Sequence, residues 1–124
     1  MIAACIAWAA IVFVLHVMKV ELEQDKVRLF PHSDKVIHFS LFAILSWLIL
    51  LTLFAKPFKN QRLRSAMAIV LVCALYGGIL EWLQSTAWVM RDCDMWDWCA
   101  DVAGSVAGIA LFPMAGRRLL RISG

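Results

Sequence analysis

The chain has 124 residues, of which 63% are hydrophobic, and its mean hydropathy is +0.80. Soluble domains are about 45–50% apolar, so this composition excludes an ordinary soluble domain. The formal net charge of +3 comes from short basic clusters beside apolar runs, which argues against the extended basic face of a nucleic-acid-binding protein. The sequence therefore predicts one integral membrane domain over residues 1–124 and no nucleic-acid partner.

Several apolar runs approach the length of about 20 residues that a helix needs to cross a bilayer. We predict an all-α bundle of four transmembrane helices with short loops, with spans at about 2–18, 36–55, 66–84 and 96–114. The first run has neither the basic start nor the cleavage site of a signal peptide, so it is expected to be a retained helix. The fourth span is predicted to end near Pro113.

The basic residues of the short connections predict the orientation of the bundle. The connection at 56–64 and the segment after the fourth span are rich in Lys and Arg, which favours a cytoplasmic position for both. Both termini are therefore predicted to be cytoplasmic. All nine acidic residues then lie on the opposite side, or in the helix halves nearest to it, together with His32 and His38.

The stretch 91–108 begins polar and continues directly into the last apolar run. Residues three and four positions apart share one face of a helix. Those related in this way are Arg91, Asp94, Asp97 or Asp101, Gly104 and Gly108. Acids that enter lipid must face other helices or water, because hydrocarbon solvates them poorly. This face is therefore predicted to line the interior of the bundle.

Two other helix ends bring ionisable groups to the same level. Asp34 and His38 are four residues apart at the start of the second span, with Lys35 beside them, and Glu81 and Gln84 share a face at the end of the third. Small residues at helix contacts allow close approach in lipid. The predicted packing residues are Gly77, Gly104 and Gly108.

The acids differ in how strongly they indicate a site. Glu81, Asp97 and Asp101 each cost at least ~2.5–3.5 kcal/mol near the membrane core unless they are paired or neutral. Asp94 is expected to lie in water, and Asp34 fits a helix cap as well as a site. Lys35 and Arg91 equally fit snorkelling towards headgroups. For His16 a packed core position is favoured over membership of the cluster.

Three motifs in this order resemble the VanZ-like membrane proteins, a family associated with resistance to the glycopeptide teicoplanin. They are Asp34-Lys35-x-x-His38, then Glu81-x-x-Gln84 after a Gly-containing apolar run, and then the Arg91…Asp97…Asp101…Gly104…Gly108 spacing. The resemblance covers roughly residues 34 to 112 and implies a small multi-span fold with a shared polar site. The family usually has Asn where this chain has Asp101, so the chain adds a carboxylate there.

The first functional hypothesis is binding of a membrane lipid headgroup or a lipid-linked envelope component at the outer membrane boundary. Lys35, His38 and Arg91 would hold an anionic group while the acids orient these cations or accept hydrogen bonds from sugars or amines. The candidate ligand-binding residues are Asp34, Lys35, His38, Glu81, Gln84, Arg91, Asp97 and Asp101.

The second hypothesis is an enzyme acting on a lipid or polyprenyl-phosphate headgroup. Its candidate catalytic residues are His38, Glu81 and Asp97, with His38 and Glu81 as base and acid and Arg91 stabilising negative charge. No Cys–His spacing is typical of a zinc site, so no metal or cofactor is predicted, although Glu81, Asp97 and Asp101 could hold a divalent ion in this alternative. A third hypothesis is a structural subunit of a membrane complex, and a homo-oligomer is compatible with all three.

Overall fold

The computed structural model describes residues 1–17, 33–53, 62–86 and 94–122. Over these ranges the chain forms four helices and no strand: α1 (Ile2–Val17), α2 (Ser33–Leu53), α3 (Arg62–Gln84) and α4 (Met95–Ile122). The predicted all-α class is therefore confirmed. Long runs of Leu, Ala, Ile and Val favour helices here, because a helix satisfies its backbone hydrogen bonds within one segment.

Two of these helices are long and apolar enough to cross a membrane. Within Ser33–Leu53 the most apolar 18-residue stretch has a mean hydropathy of 2.3, and within Leu63–Gln84 the corresponding value is 2.0. α1 is apolar but has only 16 residues, which is shorter than a usual span. The sequence predicts four spans, so the length and composition of the described helices support two of them.

α4 is the helix whose bounds differ most from its predicted span of 96–114. It has 28 residues and continues through Pro113 to Ile122, so the helix is longer than the predicted span. Proline removes one backbone donor, but a long helix tolerates this loss where neighbouring groups satisfy the freed carbonyl. The ends of the other three helices lie within four residues of their predicted positions.

The closest packing in the described structure is between α2 and α4. A side chain at Gly104 would overlap the carbonyl oxygen of Phe39, and one at Gly108 would overlap that of Ala43. The two glycines therefore allow the backbones of α2 and α4 to touch, which no larger residue would permit.

α1 lies against α2 and α3, and hydrogen bonds between helices hold it there. The indole nitrogen of Trp8 donates to the Leu41 carbonyl at 3.0 Å, and the Tyr76 hydroxyl donates to the Ala9 carbonyl at 2.7 Å. The hydrophobic core lies between the helices and consists of Val12, Leu41, Phe42, Leu45, Leu50, Ile69, Cys73 and Leu80. The last turns of α1 and α3 meet the first turns of α2 and α4, so one end of the bundle collects the polar side chains.

Candidate functional site

A lysine surrounded by aspartates lies where α2 and α4 begin. Lys35 Nζ donates to Asp94 Oδ2 at 2.7 Å and to Asp97 Oδ1 at 2.8 Å, and it lies 3.7 Å from Asp34 Oδ2. We call Asp34, Lys35, Asp94 and Asp97 the rim cluster. Side-chain exposure falls from 50% at Asp34 to 8% at Asp97, so this cluster leads from the surface into the bundle.

Asp94 has two roles in the rim cluster. It directly precedes α4, and its Oδ1 accepts a hydrogen bond from the Trp96 amide at 2.9 Å, as an N-terminal capping residue does. Its other carboxylate oxygen accepts from Lys35. The bond from Lys35, followed by that from the Trp96 amide, holds the pKa of Asp94 below its ordinary range. The expectation that Asp94 is simply solvated missed both contacts.

Deeper in the bundle, one residue from each helix joins a second group. We call His16, His38, Glu81 and Asp101 the buried cluster; none is more than 7% exposed, and one donor atom of each lies within 4.8 Å of the others. His38 Nδ1 lies 3.0 Å from Asp101 Oδ1 and 3.3 Å from His16 Nε2. Asp97 connects the two clusters, because its Oδ2 lies 3.8 Å from His38 Nε2.

His16 is a member of this cluster, whereas the sequence favours a packed core histidine. Its Nδ1 lies 2.7 Å from the Val12 carbonyl oxygen. A carbonyl only accepts hydrogen bonds, so Nδ1 donates, and a neutral His16 ring would carry its lone pair on Nε2. Gln84 donates to the His16 carbonyl at 3.1 Å and so fixes the end of α1. The sequence signal for His16 is its place at the end of an apolar run, level with His38 and Glu81.

The two carboxylates of the buried cluster are incompletely satisfied. Glu81 Oε2 accepts from the Asp94 backbone amide at 3.3 Å, but Glu81 Oε1 and Asp101 Oδ2 have no hydrogen-bond partner among the described residues. A side chain at Gly77 would meet Asp101 Oδ2 at 2.8 Å, so this glycine leaves space for a carboxylate. Buried polar atoms without partners are rare in native structures and call for an explanation.

The structure places seven of the eight candidate ligand-binding residues at this end of the bundle. They are Asp34, Lys35, His38, Glu81, Gln84, Asp97 and Asp101. Arg91 lies outside the described residues. The side chain of Gln84 binds the backbone of α1, and Asp34 stays at the surface. The candidate ligand-binding residues do not include His16 and Asp94, which the structure adds, although Asp94 lies on the helix face predicted to line the interior.

The two clusters together carry more acids than cations. Among the described residues they contain five carboxylates, one ammonium group and two imidazoles. Such a site attracts cations and hydrogen-bond donors, and Lys35 is its exposed contact for an anion.

Comparisons with family models, curated protein sequences and solved structures find no match to this chain. The resemblance to VanZ-like proteins therefore stays a prediction from three motifs. The functional assignment depends on the chemistry of the rim and buried clusters.

Proposed function

We propose that this chain is a VanZ-like, multi-pass protein of the bacterial inner membrane with both termini in the cytoplasm. In this proposal its polar end faces the outer membrane boundary and binds the headgroup of a membrane lipid or of a lipid-linked cell-envelope component. A contribution to glycopeptide-antibiotic tolerance follows from the same resemblance.

Apolar side chains on the outside of all four helices support the membrane part of this proposal. Examples are Phe13, Ile37, Leu71 and Val106, each at least 43% exposed. In the most apolar 18-residue stretch of each helix, only 33% of α2 and 28% of α3 is buried within the chain. Hydrocarbon would cover this surface, which in water would be an unusually large apolar patch.

The observation that carries the headgroup proposal is the rim cluster. It lies at the mouth of the bundle, and its lysine is about a quarter exposed while three carboxylates surround it. A headgroup with amine or hydroxyl donors fits these acids, and Lys35 would contact its phosphate or carboxylate. The excess of acids argues against a headgroup that is only anionic.

Lipid co-purification measured by mass spectrometry tests this proposal. We expect the protein purified in mild detergent to retain a distinct headgroup class, and Asp97→Asn to lose most of it because Lys35 then keeps only its more exposed partners. Thr52→Val is the matched control, since Thr52 lies at the other end of α2 and, among the described residues, its hydroxyl donates to Leu48 of the same helix. An identical lipid profile in the wild type and Asp97→Asn would contradict headgroup binding at the rim.

One contact favours the enzyme alternative as a second candidate. His38 is hydrogen-bonded to Asp101, so a carboxylate orients the imidazole as in acid–base sites, and Glu81 Oε1 is available beside it. This alternative predicts turnover of a labelled phospholipid or polyprenyl phosphate by the wild type and none by Glu81→Gln. A purified protein that binds the lipid without converting it would leave binding as the function.

A further inference from the structure

We propose that the buried cluster binds a divalent transition-metal ion, with Zn²⁺ as the best-fitting probe. His16, His38, Glu81 and Asp101 would each supply one donor atom. Two imidazole nitrogens and two carboxylate oxygens form a mixed set that suits Zn²⁺ and its neighbours better than Mg²⁺ or Ca²⁺, which prefer oxygen alone. This site goes beyond headgroup binding, and neither proposal depends on the other.

The spacing of the donor atoms fits a metal site. Tetrahedral zinc with bonds of about 2.0–2.1 Å places neighbouring donors roughly 3.3 Å apart. His16 Nε2 and His38 Nδ1 are 3.3 Å apart, and His38 Nδ1 and Asp101 Oδ1 are 3.0 Å apart. With all four donors within 4.8 Å of one another, small side-chain rotations close the shell.

The unsatisfied carboxylate oxygens are a second, independent observation. Glu81 is 3% exposed and Asp101 is fully buried, yet Glu81 Oε1 and Asp101 Oδ2 have no partner among the described residues. In the described part of the chain neither residue forms an ion pair with Lys or Arg. A divalent ion would balance two buried carboxylates and occupy their free lone pairs.

The surroundings of both histidines match those of metal ligands. His16 donates its Nδ1 proton to the Val12 carbonyl, which leaves Nε2 as the coordinating atom, a usual arrangement around bound metals. His38 would bind through Nδ1 as the neutral tautomer that carries its proton on Nε2, and this Nε2–H then faces Asp97 Oδ2 at 3.8 Å. Asp97 would thus orient His38 from outside the metal shell.

The acids of the rim cluster do not form a comparable site. Asp34, Asp94 and Asp97 also have carboxylate oxygens close together, but Lys35 Nζ lies between them. In the described structure Lys35 therefore already pairs with Asp94 and the buried Asp97, a cationic partner that Glu81 and Asp101 lack. This contrast limits the proposal to the buried cluster and makes Asp34→Asn a suitable control.

Metal content of the detergent-solubilised full chain tests the proposal. The protein is stripped with a chelator, incubated with Zn²⁺, desalted and measured by mass spectrometry of the metal. We expect a single ion per chain in the wild type and in Asp34→Asn, and a loss of affinity of at least about 100-fold in Glu81→Gln and His16→Asn, since even residues outside the metal shell change affinity 10–100-fold. Zinc retained equally by all four proteins would overturn the proposal.

X-ray absorption of the zinc-loaded wild type tests the same proposal without any variant, so a variant that fails to fold does not affect the result. We expect a nitrogen and oxygen shell at about 2.0–2.1 Å with the outer-shell scattering of two imidazoles. A sulfur shell at about 2.3 Å would assign the metal to cysteines and overturn the proposal. Failure of the wild type to retain any zinc would overturn it as well.

Discussion

The rim cluster and the buried cluster lie one helical turn apart at the same end of the bundle, but their carboxylates have different partners. In the rim cluster a lysine donates to two carboxylates at 2.7 and 2.8 Å. In the buried cluster each carboxylate keeps one oxygen without a partner in the described structure. The most buried acid of the rim, Asp97, therefore has a cationic partner, whereas the buried cluster retains unpaired carboxylate oxygens of the kind found at functional sites.

Depth explains why the two solutions differ. Lys35 and His38 are three residues apart on α2, and Asp97 and Asp101 are four apart on α4, so each helix gives one residue to each level. At the upper level a long lysine side chain can keep contact with water. One turn deeper an ammonium group would be fully desolvated, and shorter, neutralisable imidazoles take its place.

The largest expected effect comes from breaking the packing on which both clusters depend. We expect Gly104→Ala to destabilise the protein by about 3 kcal/mol, because the added carbon meets the backbone of Phe39, which cannot move aside. Gly78→Ala is the control, since its added carbon would lie 3.5 Å from Trp98 Nε1 in ordinary contact. Unfolding by denaturing detergent measures both, and equal stability of the two variants would contradict the close approach of α2 and α4.

Removing the lysine should make the rim resemble the buried cluster. We expect Lys35→Met to cost about 2 kcal/mol, less than the ~3–5 kcal/mol of a fully buried pair, because Asp97 stays buried while Lys35 is partly exposed. The second replacement Asp97→Asn in the Lys35→Met background should recover part of this loss. The same unfolding assay measures the cycle, and strictly additive effects would show that the two side chains do not interact.

Removing the charge of an acid should change the stability of the protein in opposite directions in the two clusters. In the presence of a chelator, we expect Glu81→Gln to raise stability by about 1 kcal/mol, because a neutral amide relieves a buried, half-satisfied carboxylate. Asp97→Asn should lower stability, because it breaks the bond to Lys35. Thermal unfolding of the chelator-treated proteins compares them, and a destabilised Glu81→Gln would indicate that Glu81 is already neutralised.

The smallest effect should be the pH dependence of the rim. The pKa of Asp94 is lowered in the folded chain, so its bond to Lys35 stabilises the protein at neutral pH and is lost as the pH falls through that pKa. The stability difference between the wild type and Asp94→Asn should therefore be constant from pH 8 to 5 and shrink only below about pH 4. High salt should reduce this stability difference at neutral pH. If the difference instead changed around pH 6.5, a histidine and not Asp94 would be responsible.

The sequence predicts the helical class and the polar end for sound physical reasons. Acids in apolar helices must find partners, and residues three or four positions apart share a face, so Glu81, Asp97 and Asp101 can be placed at one level. Helix number follows from the lengths of the apolar runs. α4 continues past Pro113, since proline weakens a helix without always ending it.

The sequence alone does not predict which side chains of different helices contact each other. Which acid meets Lys35, and whether His16 turns inward, depends on the rotation of each helix about its axis. That rotation is set by contacts such as Gly104 on the backbone of Phe39 and Tyr76 on the backbone of Ala9. These contacts are long-range, so a pattern read along one segment does not contain them.

Asp97 is the side chain that the two levels share. One of its oxygens accepts from Lys35, and the other faces the His38 ring. A carboxylate rotates as one rigid plane, so anything that draws the lysine outward also changes the hold on the imidazole. A ligand that binds at the mouth of the bundle would therefore change the contact to His38 one helical turn below, through rotation of the Asp97 side chain.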